Sequence, residues 1–140
     1  MIFRIFPILL IVVFFVFGCT DAGKIERTLV SYQGNDTVSI TLIQYRDKKD
    51  FYGTYHVAGP GNYVVTGSVQ GEIKADTLIG TIYYTPFGWR DKKRRAFAML
   101  ASGNTYYQGD GIEMVYMGIP HFVPESLSFD RAKRVFHVVE

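Results

Sequence analysis

The sequence predicts an all-β fold, an antiparallel up-and-down meander forming a small closed or half-open barrel, preceded by a signal-peptide helix. Three observations predict it. From Thr28 onward, apolar residues recur with period two, the strand signal, with no convincing helical stripe. Clusters of Gly, Asn, Asp and Pro separate the alternating runs at hairpin spacing. Glycines recur on the apolar face of consecutive runs, where a sheet has to bend.

The first element is the segment 1–18. Arg4 places a charge near the start, and the thirteen residues Ile5 to Phe17 carry no charged or polar side chain. Crossing about 30 Å of hydrocarbon takes about 20 apolar residues, so the run is short for a spanning helix. It is apolar on every face, which argues against a soluble amphipathic helix. This is the layout of a secretory signal. Its end, Val16-Phe17-Gly18-Cys19, resembles a lipobox, with Phe17 where a smaller residue is usual. The resemblance implies cleavage between Gly18 and Cys19 and a lipidated Cys19 that holds the chain on a bilayer. The alternative is an ordinary signal or short anchor with an incidental cysteine. Several acyl chains make such anchoring stable, whereas one chain binds only marginally, at about 0.8 kcal/mol per buried CH₂.

The mature chain expected from Cys19 to Glu140 has 122 residues, enough for one domain with a real core. The expected organisation is a signal peptide over 1–18, a lipidated cysteine and tether over 19–26, and one β-barrel-like domain over 27–140. Loss of Arg4 leaves fourteen basic against thirteen acidic residues, a net charge near +1 that points to no particular partner. Cys19 is the only cysteine. Intramolecular disulfides, Cys-x-x-Cys redox motifs, cysteine zinc sites and thiol catalysis in the mature domain are thereby excluded.

Strands follow in order. Val38, Ile40 and Leu42 alternate with Thr37, Ser39 and Thr41. Phe51, Tyr55 and Val57 share a face with Gly53, and Val65, Val69 and Ile73 share one with Gly67 and Gly71. Leu78, Ile82 and Tyr84 do the same with Gly80. Turns are expected at Gly34-Asn35-Asp36, Gly59-Pro60-Gly61-Asn62, Lys74-Ala75-Asp76 and Ser102-Gly103-Asn104. Short connections mean antiparallel neighbours, and about eight to ten strands fit between Arg27 and Val139. Glycines on the apolar face allow strong bending, and closure removes the exposed edges that invite aggregation. A small barrel results.

Most of this stretch resembles the small lipoproteins of Gram-negative bacteria with lipocalin-like or copper-stress-lipoprotein-like barrels. The resemblance runs through Phe51-Tyr52-Gly53, Gly67-Ser68-Val69-Gln70-Gly71, Asp76-Thr77-Leu78-Ile79-Gly80, Tyr83-Tyr84, Arg95-Ala96-Phe97-Ala98-Met99-Leu100, Gly109-Asp110-Gly111 and Pro124-Glu125-Ser126-Leu127. It implies a barrel and an envelope location, with the outer membrane preferred and the leaflet open. It implies no activity, and the paired cysteines of the copper-stress type are missing here.

Candidate chemistry is sparse. His56, His121 and His137 have no metal-ligand spacing to one another, and His56 falls on the polar face of its strand. Asp110 and Glu113 are three apart, and the flanking glycines of Gly109-Asp110-Gly111 make a structural turn the simpler reading than a catalytic acid. Gly59-Pro60-Gly61 lacks the lysine and helix of a phosphate loop. No nucleophile elbow is present. The expectation is a non-enzymatic protein with no metal and no cofactor.

The strongest charge feature is Arg90-Asp91-Lys92-Lys93-Arg94-Arg95, five cations in six residues after Phe87-Gly88-Trp89. A solvated hairpin tip explains it. The sharper expectation is that Arg90, Lys92, Lys93, Arg94, Arg95 and Trp89 touch an anionic surface, each cation contributing about 1 kcal/mol near charged lipid. Nucleic acid is not an expected partner, because the rest of the domain is nearly neutral. The expected partners are the bilayer through acylated Cys19, and an envelope protein or a small apolar ligand. Three functions stay open: a binding or interaction module, a structural or stress-sensing scaffold with a filled barrel, and a small-ligand carrier. Cavity volume separates them.

Overall fold

The computed structural model describes residues 23–130 and 134–139. The signal peptide read over 1–18, with Gly18 and Cys19, lies outside the described residues. The chain forms an all-β meander, β1 (Lys24–Gln33), β2 (Asp36–Tyr45), β3 (Asp50–Gly59), β4 (Tyr63–Lys74), β5 (Thr77–Tyr84), β6 (Lys93–Ser102) and β7 (Thr105–Gln108). An excursion over 109–130 carries the hairpin β8 (Glu113–Tyr116) and β9 (Ile119–Phe122) and one 3-10 turn, Pro124–Ser126. β10 (Val135–Val139) then inserts between β7 and β1 and closes an eight-stranded antiparallel barrel in the order β1-β10-β7-β6-β5-β4-β3-β2. The architecture is consistent with a lipocalin-like barrel. Closed, not half-open, is the observed form.

The period-two faces set the interior. Leu29, Val38, Ile40, Leu42, Phe51, Val69, Met99, Tyr106 and Phe136 are all buried inside. The four expected turns join β1–β2, β3–β4, β4–β5 and β6–β7. Strand register shows what the inner glycines do. Phe51 pairs with Gly71, Gly71 with Gly80, and Gly80 with Phe97, so one row across four strands reads Phe-Gly-Gly-Phe. The two phenylalanine rings meet over the glycine pair, with centroids 6.1 Å apart. A Cβ at Gly71 would overlap Ile79 O and the Gly80 Cα, and one at Gly80 would overlap Gln70 O. The tight backbone approach that coils the sheet therefore depends on glycine, and the bulk missing there is supplied by rings from the flanking strands. The next row repeats the device: Tyr55 and Tyr84 both pair with Gly67, and their rings lie 6.3 Å apart.

Antiparallel order sorts the loops between two ends. At one end lie the start of β1, the loops 46–49, 75–76 and 103–104, and the end of β10. The Arg46 amide ties this end to Gly23 O at 3.0 Å. Inside it, Arg27 Nη1 donates to the hydroxyl of the buried Tyr106 at 2.9 Å. The other end holds the turns 34–35 and 60–62, the loop 85–92 and the excursion 109–130.

Candidate functional site: the barrel mouth

The second end is not filled. β7 pairs with β6 only over Met99–Ser102, and after a last bond from Gly109 N to Ala98 O at 2.8 Å the chain leaves the barrel wall. The excursion is tied to itself through reciprocal Asp110–Ser128 backbone bonds of 3.0 and 2.9 Å and a bond from Val123 N to Ile112 O of 2.8 Å. Ser126 Oγ reinforces the second tie, accepting from Ile112 N and donating to Val123 O, both at 2.8 Å. Leu127 and Phe129 pack outside β6 beside Ala98 and Gly109, which is why Ala98 is buried although it faces away from the interior.

Between the excursion and the strand ends lies a cavity of about 270 Å³. Its apolar floor is Ile40, Ile82, Phe97 and Phe136, and its polar wall is Tyr55, Tyr84, Arg95, Gln108, Asp110, Glu113 and Arg134. Phe122 of β9 closes one side. The site is thus a pocket with a small apolar floor and a wall of charged, amide and hydroxyl groups, near the small end of the usual range, about 300 Å³ and upward, for small-molecule sites.

Arg95 Nε donates to both Glu113 oxygens, at 3.1 and 2.8 Å. This bond, more than the opposing desolvation, raises the Arg95 pKa. Arg134 donates through Nε and Nη2 to Gln33 Oε1, at 3.1 and 2.7 Å. It also acts on Tyr55, whose pKa is raised by burial against the lowering influence of the Arg134 charge and hydrogen bond. Tyr55 is therefore a neutral hydroxyl at physiological pH.

The basic run is divided by the strand pleat. Register pairs Arg95 with Ile82, so Arg95 faces the mouth and pairs with Glu113 instead of joining the loop's cations. Lys92 and Arg94 sit over the Tyr83 ring at 5.3 and 5.4 Å, and Lys93 sits over Trp89 at 4.1 Å. Phe87 packs on Tyr63 with ring centroids 4.8 Å apart. Arg90 and Trp89 lie in the exposed loop between β5 and β6. Aromatic faces thus hold three of the five cations in place.

Asp110, read from the sequence as a turn residue, and Glu113, three positions on, both line the cavity wall. His56, His121 and His137 are all exposed. Among the described residues, no three His, Cys, Asp or Glu side chains group as a metal site. Sequence reasoning missed Arg134, Tyr55 and Tyr84 as site residues, because they meet only through barrel closure. It also missed the β8–β9 hairpin. One hairpin face, with Glu113, Pro120 and Phe122, turns to the barrel, while Met114, Tyr116, Ile119 and His121 form an exposed outer face. At its tip Met117 and Gly118 both have positive φ, 50° and 78°, and Met117 is 84% exposed. The signal available was the apolar run Met114-Val115-Tyr116-Met117, which keeps no period-two alternation. Set against protein-family models, curated proteins and solved structures, the chain matches none of them.

Proposed function

We propose that this chain is a lipid-anchored cell-envelope protein whose barrel mouth is a non-enzymatic binding site for a small ligand. The observation that supports it is the mouth itself. Buried side chains form the core below, and this end holds a cavity of about 270 Å³ above an apolar floor, ringed by polar groups that converge on it. A barrel serving only as a filled scaffold has no need of such a cup.

The anchor part of the proposal rests on Val16-Phe17-Gly18-Cys19. Cys19 precedes Gly23 by four residues, a reach of at most about 14 Å at about 3.5 Å per residue. β1 starts at the end opposite the mouth. An acylated Cys19 then holds the filled end toward an outer-membrane leaflet and turns the mouth away from it. A ten-residue strand spans about 33 Å, so the basic loop at the mouth end stands clear of the anchoring bilayer when the barrel is upright. Any anionic surface met by Arg90, Lys92, Lys93 and Arg94 belongs in that arrangement to something else.

The binding test is titration of the mature chain with 1-anilinonaphthalene-8-sulfonate, followed by amide chemical shifts. Shifts at Tyr55, Ile82 and Phe97, abolished in a folded Ile82→Trp variant that fills the floor, support the proposal. Binding that survives Ile82→Trp, or shifts confined to the hairpin, overturn it. The anchor test is intact mass and membrane fractionation of the wild type against Cys19→Ala.

A second reading is favoured by one observation, the exposed outer face of the hairpin, with Tyr116 at 70% and Met117 at 84% exposure. Exposed contiguous apolar surface of this kind marks an interaction site. An envelope protein seated there makes the barrel an interaction module, and Tyr116→Ser with Ile119→Ser would abolish that contact without changing ligand binding.

A further inference from the structure

We infer that the mouth selects ligands with an anionic head group, a carboxylate or a phosphate, with Arg134 as counter-ion. This deepens the small-ligand proposal and rests on it. The two guanidinium groups of the wall differ in their partners. Arg95 is neutralised by Glu113, which occupies its Nε with both oxygens. Arg134 meets neutral groups, the Gln33 carbonyl and the Tyr55 hydroxyl. Among the described residues no carboxylate is paired with it, and it stands at the rim of the cavity above the apolar floor.

Geometry completes the acceptor site. Nε and Nη2 share one Gln33 oxygen, and a guanidinium has five N–H donors, so donors remain for a planar or tetrahedral anion. Tyr55 lines the same cavity as Arg134, and its neutral hydroxyl supplies a further O–H donor for the ligand's anion. The wall's other carboxylate, Asp110, is engaged through Oδ1 by the Gly111 amide at 3.1 Å. The ligand's apolar part lies on Ile82, Phe97 and Phe136, and the volume restricts it to a short chain or a single ring.

The test uses four probes of matched length on the mature chain, hexanoate, hexyl phosphate, hexan-1-ol and hexylammonium, with wild type, Arg134→Gln and Arg134→Lys compared by chemical-shift titration. In wild type the two anions should bind about tenfold or more tighter than hexanol, the scale of a charge-assisted hydrogen bond. Arg134→Gln should remove that advantage and leave hexanol unchanged, and Arg134→Lys should restore part of it. Mouth resonances that move with phosphatidylglycerol vesicles, and not with hexanoate, would identify a lipid head group as the anion; the reverse would identify a free acid. Hexanol binding as tightly as the anions, or hexylammonium binding tightest, overturns anion selection while leaving the ligand site standing. No shift at Tyr55 or Phe97 with any probe overturns the ligand site itself.

Discussion

Each end of the barrel places an arginine beside a tyrosine, with opposite results. At the β1 end Arg27 donates to Tyr106 above a packed interior, and the pair completes the plug. At the mouth Arg134 acts on Tyr55 beside a cavity, and the pair becomes part of a wall. What separates them is the chain between β7 and β10. At the first end the strands are joined by tight turns; at the second, the excursion over 109–130 brings Glu113 and Phe122 to the rim of the cavity. The same side-chain chemistry acts as structure where packing is complete and as a site where the backbone leaves room.

The largest effect that would break this comparison lies in the glycine row nearer the plugged end. Gly71→Val puts a branched side chain where Ile79 O and the Gly80 Cα already stand. Backbone cannot yield there without opening the β4–β5 ladder, so a loss above about 4 kcal/mol is expected. Circular dichroism should show no cooperative unfolding transition. Phe51→Ala comes next. Its ring is buried against Phe97 over that glycine pair, and deletion should cost about 3–5 kcal/mol in urea unfolding, the usual range for a buried phenylalanine. Ile82→Ala, at the cavity floor and only partly buried, should cost clearly less, since the space it leaves joins one already present.

The polar pairs sharpen the contrast. Arg27→Ala leaves the hydroxyl of a tyrosine only 3% exposed without its partner, an expected loss of about 1–2 kcal/mol. Glu113→Gln at the mouth breaks a stronger-looking contact, but the Arg95 side chain is 59% exposed and solvent screens the pair, so under about 1 kcal/mol should be lost. Urea midpoints of the two variants measure the difference directly. Equal losses would mean that the mouth is as tightly built as the plug.

How much of this was legible in the sequence follows the same division. The plugged part was legible, because Val38, Ile40 and Leu42, or Val65 and Val69, declare their face by local alternation, and Gly34, Gly61 and Gly103 mark turns within a few residues of the strands they join. The mouth was not, because its contacts are distant: Arg134 and Gln33 are separated by 101 positions, and Arg95 and Glu113 by 18. Arg95 misled for a specific reason. It ends a run of cations that is contiguous in sequence, and the pleat turns it inward while the preceding Arg94 stays outside over Tyr83. The glycines on the apolar face signalled curvature, but only register reveals the rings that meet over them.

The pH response reports on the mouth tyrosine. Burial raises the Tyr55 pKa above its ordinary value of 10.0, so the folded chain keeps a proton that the unfolded chain loses first. The stability this gives is fully present below about pH 10 and is lost as pH rises through the higher folded-state value. Tyr55→Phe should flatten the decline in thermal midpoint between neutral pH and pH 11.

The smallest expected effect lies in the hairpin, where a large apolar side chain occupies a conformation that asparagine or glycine adopts at lower cost. Two-residue turns with positive φ at both central positions favour Asn-Gly, and here the pair is Met117-Gly118. Met117→Asn should therefore raise the thermal midpoint slightly, by an amount corresponding to about 0.5–1 kcal/mol, while lowering retention on a hydrophobic-interaction column. A gain in stability together with unchanged ligand affinity would show that methionine at this tip serves neither the fold nor the mouth, leaving its exposed apolar side chain as the property that matters. A loss of stability would mean that Met117 packs against the barrel in solution, and the hairpin would then belong to the cover of the mouth.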